Sequence, residues 1–442
     1  MSRKLCLILL AGLAMTGCTA SDDSGPPQVG DAACSNDGQK QFVLDVMRDV
    51  YFWHTSLPAS VDLSAHASPE ALLSHLASFS PISTATGQPV DRFSFINTAA
   101  ADSAFFGEGQ FEGFGFSTTF DENDNLLFTR VFSGSPAAMA GFGRGQQIIT
   151  LDGRTIADIE ANEGISAMFD MNPLDFTIRR LDGSEYPARV TKDVVTIDPL
   201  PQWRVIDTPA GSVGYMEMST FISTADPVFD TIFGEFALAN ISDLIIDLRY
   251  NGGGLVSTTE LLGDFLGGES LDGLVFSKTL YNSNNSGSNS IRPFQGTNPL
   301  NLSRLVVIAT GGTASASELV TNSMEPHVEV TIVGDTTFGK PVGQVGILFC
   351  EKVLRPTAFE SVNALDEGGY FDGLPVDCAA DDDLTVAVGA RDDPNVEAAL
   401  TYFATGACPV VSASFSAKAA PSDVRHQIDL RGRAHREYAG AF

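Results

Sequence analysis

The chain has 442 residues, of which 43% are apolar, enough for two or three domains with sizeable hydrophobic cores. Its formal net charge of −29 argues against recognition of nucleic acid or anionic lipid through surface charge, because like charges repel. The composition is that of a globular protein, and the charge bears on solubility rather than on the fold.

Residues 1–18 have the layout of a bacterial export signal, with a basic start, an apolar stretch over residues 5–15 and small residues before Cys18. The stretch is too short for a permanent membrane anchor. The small residues resemble a lipobox, which predicts lipidation of Cys18; the alternative is plain signal cleavage. Residues 19–33 are polar and predict a flexible tether. Thr19 stands where an aspartate would favour inner-membrane retention, so we expect a periplasmic protein anchored to the outer membrane of a Gram-negative cell.

Four cysteines remain when Cys18 is set aside and the signal is removed, which in an exported protein favours two disulfides. They allow three pairings and lie at positions Cys34, Cys350, Cys378 and Cys408. No metal-binding spacing is present, so we expect no metal and no cofactor. The string DENDN at 121–125 lacks the glycine and glutamate of a calcium loop and is interpreted as a hairpin turn.

Residues 34–99 predict an N-terminal helical region. Phe42, Val46, Val50 and Trp53 recur at helical spacing and are expected to face a core, and a second helix is predicted over residues 69–77. The motif DRFSFI at 91–96 predicts an extended segment.

Short strands and glycine turns dominate residues 107–199, including predicted strands over 126–131 and 147–151 and a short helix over 136–140. The string GSPAAMAGFGRGQQIITLDG resembles a PDZ domain of exported bacterial proteases. That resemblance implies a peptide-binding loop at 112–116 whose backbone amides hold a terminal carboxylate, with Gly113, Phe114, Gly115 and Phe116 as binding residues. A structural turn without a ligand is the alternative.

From residue 202 to 408 strands alternate with helices, which predicts an α/β core with a parallel sheet. Apolar strands such as those at 243–248 and 305–309 are typical of strands covered on both faces. The pattern of residues 409–442 is too weak to assign.

Ser315 is predicted to follow a buried strand and to open a helix over residues 316–324. The partial positive charge of a helix N-terminus favours an alkoxide or an oxyanion, which suits a nucleophile. The same serine with Glu318 also forms an S-x-x-E capping box, which needs no chemistry to explain it.

Lys340 lies in an apolar stretch, and burial there lowers the pKa of a lysine so that its neutral amine can act as a base. A solvated surface charge is the alternative. A Ser-His-Asp arrangement through His327 is disfavoured because no GxSxG elbow occurs, and His327 is interpreted as a surface residue before a strand.

The blocks GYMEMSTF, DLRYNGGG, TASASE and TFGKPVGQ together resemble the C-terminal processing peptidases, also called tail-specific proteases. The resemblance implies a crotonase-like (ClpP/crotonase-type) core with an inserted PDZ domain. It implies Ser315 as nucleophile, Lys340 as general base, Gln344 as the residue that positions the amine, and the amides of Gly253 and Ala316 as the oxyanion hole. Simple turn glycines remain the alternative at 253.

The hypothesis is therefore an exported serine endopeptidase that binds apolar C-terminal tails of proteins and cleaves them with a Ser-Lys dyad. The alternative is a non-catalytic lipoprotein that binds peptides or apolar ligands on the same scaffold. A protease held inactive by its PDZ domain lies between the two.

Overall fold

The computed structural model describes residues 34–84, 86–296, 298 and 300–409. The predicted signal peptide with Cys18, the tether and the tail beyond residue 409 lie outside these residues. Within them, no helix has the length and apolar character needed to cross a membrane.

The N-terminal region, residues 34–99, consists of helices joined to one short strand. Ser35 and Ser68 cap the first two helices by accepting from backbone N–H groups, and Pro69 occupies the first helical turn, where no N–H is needed. The elements are α1 (Asn36–Val50), α2 (Pro69–Ala77), β1 (Phe95–Thr98) and α3 (Ala99–Ser103).

Phe42, Val46 and Trp53 pack against the core of this region, as predicted, but the neighbouring row through Val43 and Met47 lies deeper in it. Val43 and Met47 are fully buried, whereas Phe42, Val46 and Val50 are only partly buried. Both rows are apolar and both repeat every four residues, so periodicity alone does not distinguish them.

The β-rich unit, residues 107–199, contains two sheets, and the phenylalanine-rich core packs against the larger one. Its larger sheet has the strand order β3-β4-β5-β7-β8, with β6 paired to β5, and the strands pair antiparallel. The second sheet pairs β2 with β9. The elements are β2 (Gln110–Gly113), β3 (Phe116–Phe120), β4 (Leu126–Val131), α4 (Pro136–Met139), β5 (Gln147–Leu151), β6 (Arg154–Thr155), α5 (Ile156–Asn162), α6 (Ile165–Phe169), β7 (Leu174–Arg179), β8 (Glu185–Val190) and β9 (Asp193–Thr196).

The α/β core, residues 202–408, is built on a six-stranded sheet of order β10-β11-β12-β15-β16-β21. All of its neighbours pair in parallel except β10 and β11. Its central strands are buried on both faces, as their continuous apolar runs predicted. The first elements are β10 (Gln202–Thr208), β11 (Gly211–Glu217), α7 (Asp226–Leu238), β12 (Asp243–Asp247), α8 (Val256–Gly267), β13 (Val275–Tyr281), β14 (Ser290–Pro293), β15 (Arg304–Ala309), α9 (Ala316–Met324) and β16 (Glu329–Gly334).

Two smaller sheets complete the core, one of order β14-β13-β20-β17 and one of order β1-β19-β18. Because β1 belongs to the N-terminal region, the second sheet joins that region to the core. The remaining elements are β17 (Val342–Gln344), β18 (Ile347–Phe349), β19 (Lys352–Arg355), β20 (Thr357–Val362), β21 (Cys378–Ala379) and α10 (Pro394–Thr405). The mixed α/β class predicted from the sequence is confirmed.

Two disulfides are present, as the even cysteine number predicted, and the structure selects one of the three pairings. Cys34 bonds to Cys350, which fastens the start of α1 to the β18–β19 hairpin. Cys378 bonds to Cys408, which fastens β21 to the segment after α10.

Candidate active site

Ser315 occupies the junction between β15 and α9, as predicted. Its backbone has φ 59° and ψ −113°, a conformation that glycine adopts readily and other residues rarely adopt. The backbone at this residue is therefore strained, which is common at functional sites.

Glu318 is completely buried and ties Ser315 to Lys340. Its Oε2 accepts the backbone N–H of Ser315 at 2.8 Å and the backbone N–H of Lys340 at 2.8 Å. The two backbone nitrogens are therefore separated by no more than twice that distance. The other oxygen accepts from Thr337 and from the Gly339 N–H. The capping-box alternative is thus part of the observed geometry, but the carboxylate reaches well beyond its own helix.

The Lys340 amine lies in an apolar environment, and only 2% of the residue is exposed. The surrounding cluster consists of Phe93, Ala314, Phe338 and Val342, with Trp53 and Phe371 packed against it. Burial lowers the pKa of Lys340 from 10.5 to about 7, while the charges of Asp91 and Glu318 raise it and that of Arg355 lowers it. The surface-charge alternative is wrong for this lysine, and near neutral pH a substantial fraction of the amine is unprotonated.

Gln344 contacts the amine, as the extended spacing of four predicted. The Lys340 Nζ donates to Gln344 Oε1 at 2.8 Å, and the Gln344 Nε2 donates to the carbonyl oxygen of Phe93. The amide is therefore held at both ends, with its oxygen facing the amine.

Gly253 and Ala316, the predicted oxyanion donors, lie beside Ser315. A Cβ added to Gly253 would be 2.7 Å from the Ser315 Cβ and 2.9 Å from the Ala316 nitrogen, so the three residues are in contact. Among the described residues, the Ala316 N–H has no acceptor. The Gly253 N–H instead donates to Asn251 Oδ1 at 2.9 Å, so only one of the two predicted donors is open in this conformation.

The predicted peptide-binding loop joins β2 to β3 in the β-rich unit. Phe114 is fully buried and Gly115 has φ +86°, which fits a tight glycine turn. The carbonyl oxygen of Phe114 accepts from the Ala137 N–H at 2.9 Å, which ties the loop to α4. Within the described chain, the N–H groups of Phe114 and Gly115 have no acceptor.

A buried ion cluster beneath the glycine turn was missed by the sequence reasoning. The Arg249 guanidinium has no exposed surface and pairs with Asp247 at 2.6 Å and Asp393 at 2.5 Å. Arg249 and Asp247 are two residues apart next to an apolar strand, and this opposite-charge pair on one face was the available signal. The cluster fixes the end of β12, and with it the position of Gly253.

His327 is not part of the site. Its Nε2 lies 2.8 Å from the carbonyl oxygen of Val275, and its ring packs edge-on against Phe294. The described residues contain no group of three or more His, Cys, Asp or Glu side chains placed to hold a metal ion.

The comparisons with known proteins point to a family of peptidases. The model of peptidase family S41 matches residues 212–359, and the model of the peptidase S41 N-terminal domain matches residues 38–95. A carboxy-terminal-processing protease of Bartonella bacilliformis is 25% identical over 258 residues, covering 54% of this chain and 56% of that protein. A carboxyl-terminal-processing protease of Synechocystis sp. is 26% identical over 236 residues, covering 52% of this chain and 53% of that protein. These alignments span about half the length of the curated relatives.

The fold is also found in solved structures. A Bacteroides fragilis protein assigned to the S41 proteases has a TM-score of 0.63 with 22% identity, covering 82% of this chain and 97% of that one. The fold and the site define a peptidase-like α/β protein. The chain belongs to peptidase family S41, the family of the C-terminal processing peptidases.

Proposed function

We propose that the protein is a serine endopeptidase of the tail-specific type, in which Ser315 is the nucleophile and Lys340 the general base. The observation that carries this proposal is the buried amine, which has a pKa of about 7 and is joined through one carboxylate to the backbone of a strained serine. Gln344 orients that amine. A solvated lysine would be protonated at neutral pH and unable to take a proton.

In the proposed reaction, the neutral Lys340 amine takes the Ser315 hydroxyl proton while Oγ bonds to the substrate carbonyl carbon. The carbonyl oxygen becomes an oxyanion that the Ala316 N–H stabilises, and Gly253 joins it if its N–H leaves Asn251. The C–N bond then breaks, and the lysine gives its proton to the leaving amine. Water hydrolyses the ester by the same route. The rate of hydrolysis should rise as the pH increases through about 7, because Lys340 must be unprotonated to act as the base.

The β-rich unit is proposed to be a PDZ domain inserted into a crotonase-like core, with the loop at 112–116 holding the C-terminal carboxylate of an apolar substrate tail. Two unpaired loop amides support this role. The unit also touches the core near the glycine turn. Arg130 pairs with Glu217 at 2.6 Å, and Arg144 donates to the Tyr250 hydroxyl at 2.7 Å.

We also propose that the protein is exported, anchored by a lipid at Cys18 and periplasmic. The support is the pattern of residues 1–18 together with two disulfides, which persist in an oxidising compartment.

The test uses the purified chain with two unfolded protein substrates that differ only in an apolar or a charged C-terminal tail. We expect cleavage of the apolar-tailed substrate, and loss of cleavage in Ser315→Ala and in Lys340→Ala. The matched control is Lys278→Ala, at a partly buried amine paired with the exposed Asp366, which should retain activity. Binding of the tail without cleavage would favour the non-catalytic alternative. Equal cleavage of both substrates would contradict tail recognition while leaving the dyad in place.

A further inference from the structure

A turn in the N-terminal region is fastened by one buried carboxylate. Asp91 Oδ1 accepts the backbone N–H groups of Phe93 and Ser94, each at 3.0 Å, and Oδ2 accepts the Ser94 hydroxyl at 2.7 Å. Oδ1 also accepts the Thr357 hydroxyl of β20 at 3.1 Å. Residues 91–94, the Asp91 turn, are therefore fixed both internally and against the core.

The fixed turn sets the direction of the Phe93 carbonyl group. That carbonyl accepts the Gln344 Nε2 across 251 residues of sequence. A carboxamide has a donor end and an acceptor end, so a carbonyl that holds the nitrogen end leaves the oxygen end for the Lys340 amine. Without this carbonyl the amide would be free to turn its NH₂ group toward the lysine, where it would oppose the protonated amine or occupy the lone pair that the neutral amine needs as a base.

Side chains of the same turn also enclose the amine. The centre of the Phe93 ring lies 5.3 Å from Lys340 Nζ. Next to it, the Arg92 guanidinium lies 4.4 Å from the centre of the Phe338 ring and donates to the Phe338 carbonyl at 3.2 Å. The turn thus supplies part of the apolar wall on one side of the base.

We propose that Asp91 is a positioning residue for the general base, acting through the Phe93 carbonyl and Gln344 to direct the Lys340 amine. This inference rests on the proposed function, since it concerns the same base. It gives the N-terminal region a role in positioning the general base as well as a structural role.

The charge of Asp91 allows the proposal to be tested through the pH at which Lys340 titrates. The charged groups that act on the Lys340 amine are Asp91 and Glu318, which favour its protonated form, and Arg355, which disfavours it. Arg355 is itself paired with Asp102. Removing the Asp91 charge while keeping the turn should therefore lower the pKa of Lys340 and allow the base to work at lower pH.

The experiment compares Asp91→Asn and Asp91→Ala in the full chain. The asparagine retains Oδ1 as the acceptor for the turn, whereas the alanine removes every contact. The matched control is Asp62→Asn, because Asp62 accepts the Ser64 N–H at 2.9 Å and the Ser64 hydroxyl at 2.7 Å in a similar turn of the same region, away from the site. Thermal unfolding confirms that each variant is folded.

Two readouts separate positioning from structure. With a short quenched peptide, we expect Asp91→Ala to lose up to about a hundredfold in kcat with little change in KM, the effect of a displaced catalytic group. In Asp91→Asn, the acid limb of the pH–rate profile should move to lower pH. Independently of activity, ¹³C NMR of the lysine ε-carbons, assigned with Lys340→Ala, should show the same direction of shift for Lys340. The Asp62 control should change neither readout.

The outcomes distinguish this inference from the proposed function. If the wild type hydrolyses the peptide through Ser315 but a folded Asp91→Ala retains its kcat, the positioning role is wrong. An unmoved Lys340 titration in Asp91→Asn would overturn it as well. If the wild type hydrolyses nothing, the proposed function fails, and the NMR titration still decides whether Asp91 acts on the amine.

Discussion

At the scale of single residues, the candidate site contains two features that oppose stability. Ser315 has a backbone conformation suited to glycine, and Lys340 places an ionisable amine among aromatic rings. Neither feature improves packing, and both are what a serine nucleophile with a lysine base requires. Each can be tested by asking whether the protein becomes more stable when the feature is removed.

The backbone strain at Ser315 predicts a difference between two inactive variants. Ser315→Ala should abolish hydrolysis and cost no more than about 1 kcal/mol of unfolding free energy, the size of a lost cap. Ser315→Gly should be equally inactive but about 1 kcal/mol more stable than the alanine variant, because glycine adopts φ 59° without strain. Denaturant unfolding measures the difference. A glycine variant less stable than the alanine variant would contradict the strain.

The buried amine predicts a dependence of stability on pH. Burial depresses the folded-state pKa of Lys340 from 10.5 to about 7, so folding is penalised when the amine is charged in the unfolded chain. The penalty grows as the pH falls from about 10.5 to about 7, at about 1.4 kcal/mol per pH unit, and is constant below that. Lys340→Met removes it, so the variant's stability relative to wild type should be greatest near and below pH 7.

Denaturant unfolding across this pH range checks the prediction. Lys340→Met also leaves Gln344 Oε1 without its donor, which subtracts a constant of about 1 kcal/mol, so the pH slope rather than the absolute difference is decisive. Lys278→Met, at a partly buried lysine that is paired with the exposed Asp366, is the control for a lysine-to-methionine change. Equal slopes in the two variants would argue against a buried neutral amine.

At the scale of elements, the sequence was sufficient to predict the bounds of a helix where its capping residues and its apolar periodicity agreed. The α9 helix was predicted with its observed bounds, and so was α2, since Ser68 and Pro69 begin it as cap and first residue. The α10 helix was missed although Asp393 and Pro394 begin it in the same way. The segment after residue 281 is rich in Asn, Ser and Gly and has no local signal of a strand, yet it contains β14, which pairs with β13.

The candidate site was predictable in its residues but not in the contacts that assemble it. Ser315, Lys340 and Gln344 stand in motifs that resemble a family. The contacts of Phe93 with Gln344 and of Arg249 with Asp393 each join residues more than a hundred positions apart, and no local pattern predicts them. Only the local Asp247–Arg249 pair was visible in the sequence. The hydrogen bond from the Gly253 N–H to Asn251 could not be predicted either, because it depends on the side-chain conformation of Asn251.

The glycine turn predicts a steric test of the oxyanion region. In Gly253→Ala the new Cβ would lie 2.7 Å from the Ser315 Cβ and 2.9 Å from the Ala314 oxygen, at φ +108°. We expect loss of hydrolysis and a stability cost of about 2 kcal/mol. The control is Gly234→Ala on α7, where a Cβ meets nothing within 4 Å; it should retain activity and gain up to about 1 kcal/mol. Full activity in Gly253→Ala would contradict the close contact.

At the scale of the whole molecule, the candidate site joins distant parts of the chain. The N-terminal region contributes the Phe93 carbonyl, and the end of β12 leads to the glycine turn. Ser315 stands immediately before α9, and Lys340 lies just before β17, which supplies Gln344. The β1–β19 pairing and the Cys34–Cys350 bond hold the N-terminal region to the core on either side of the Asp91 turn. The site is therefore intact only when the N-terminal region is held in place against the core.

The two disulfides should differ in their contributions for this reason. Cys34–Cys350 spans 316 residues and Cys378–Cys408 spans 30, and the loop-entropy model assigns the longer one about 2 kcal/mol more stabilisation. Paired serine variants of each bond, compared by denaturant unfolding, should show that difference. The Cys34→Ser/Cys350→Ser variant should also lose more hydrolytic activity under conditions where both variants remain folded, because it loosens the region that presents Phe93 to Gln344. Equal losses of stability and activity would mean that the Cys34–Cys350 bond is not needed to hold the N-terminal region to the core.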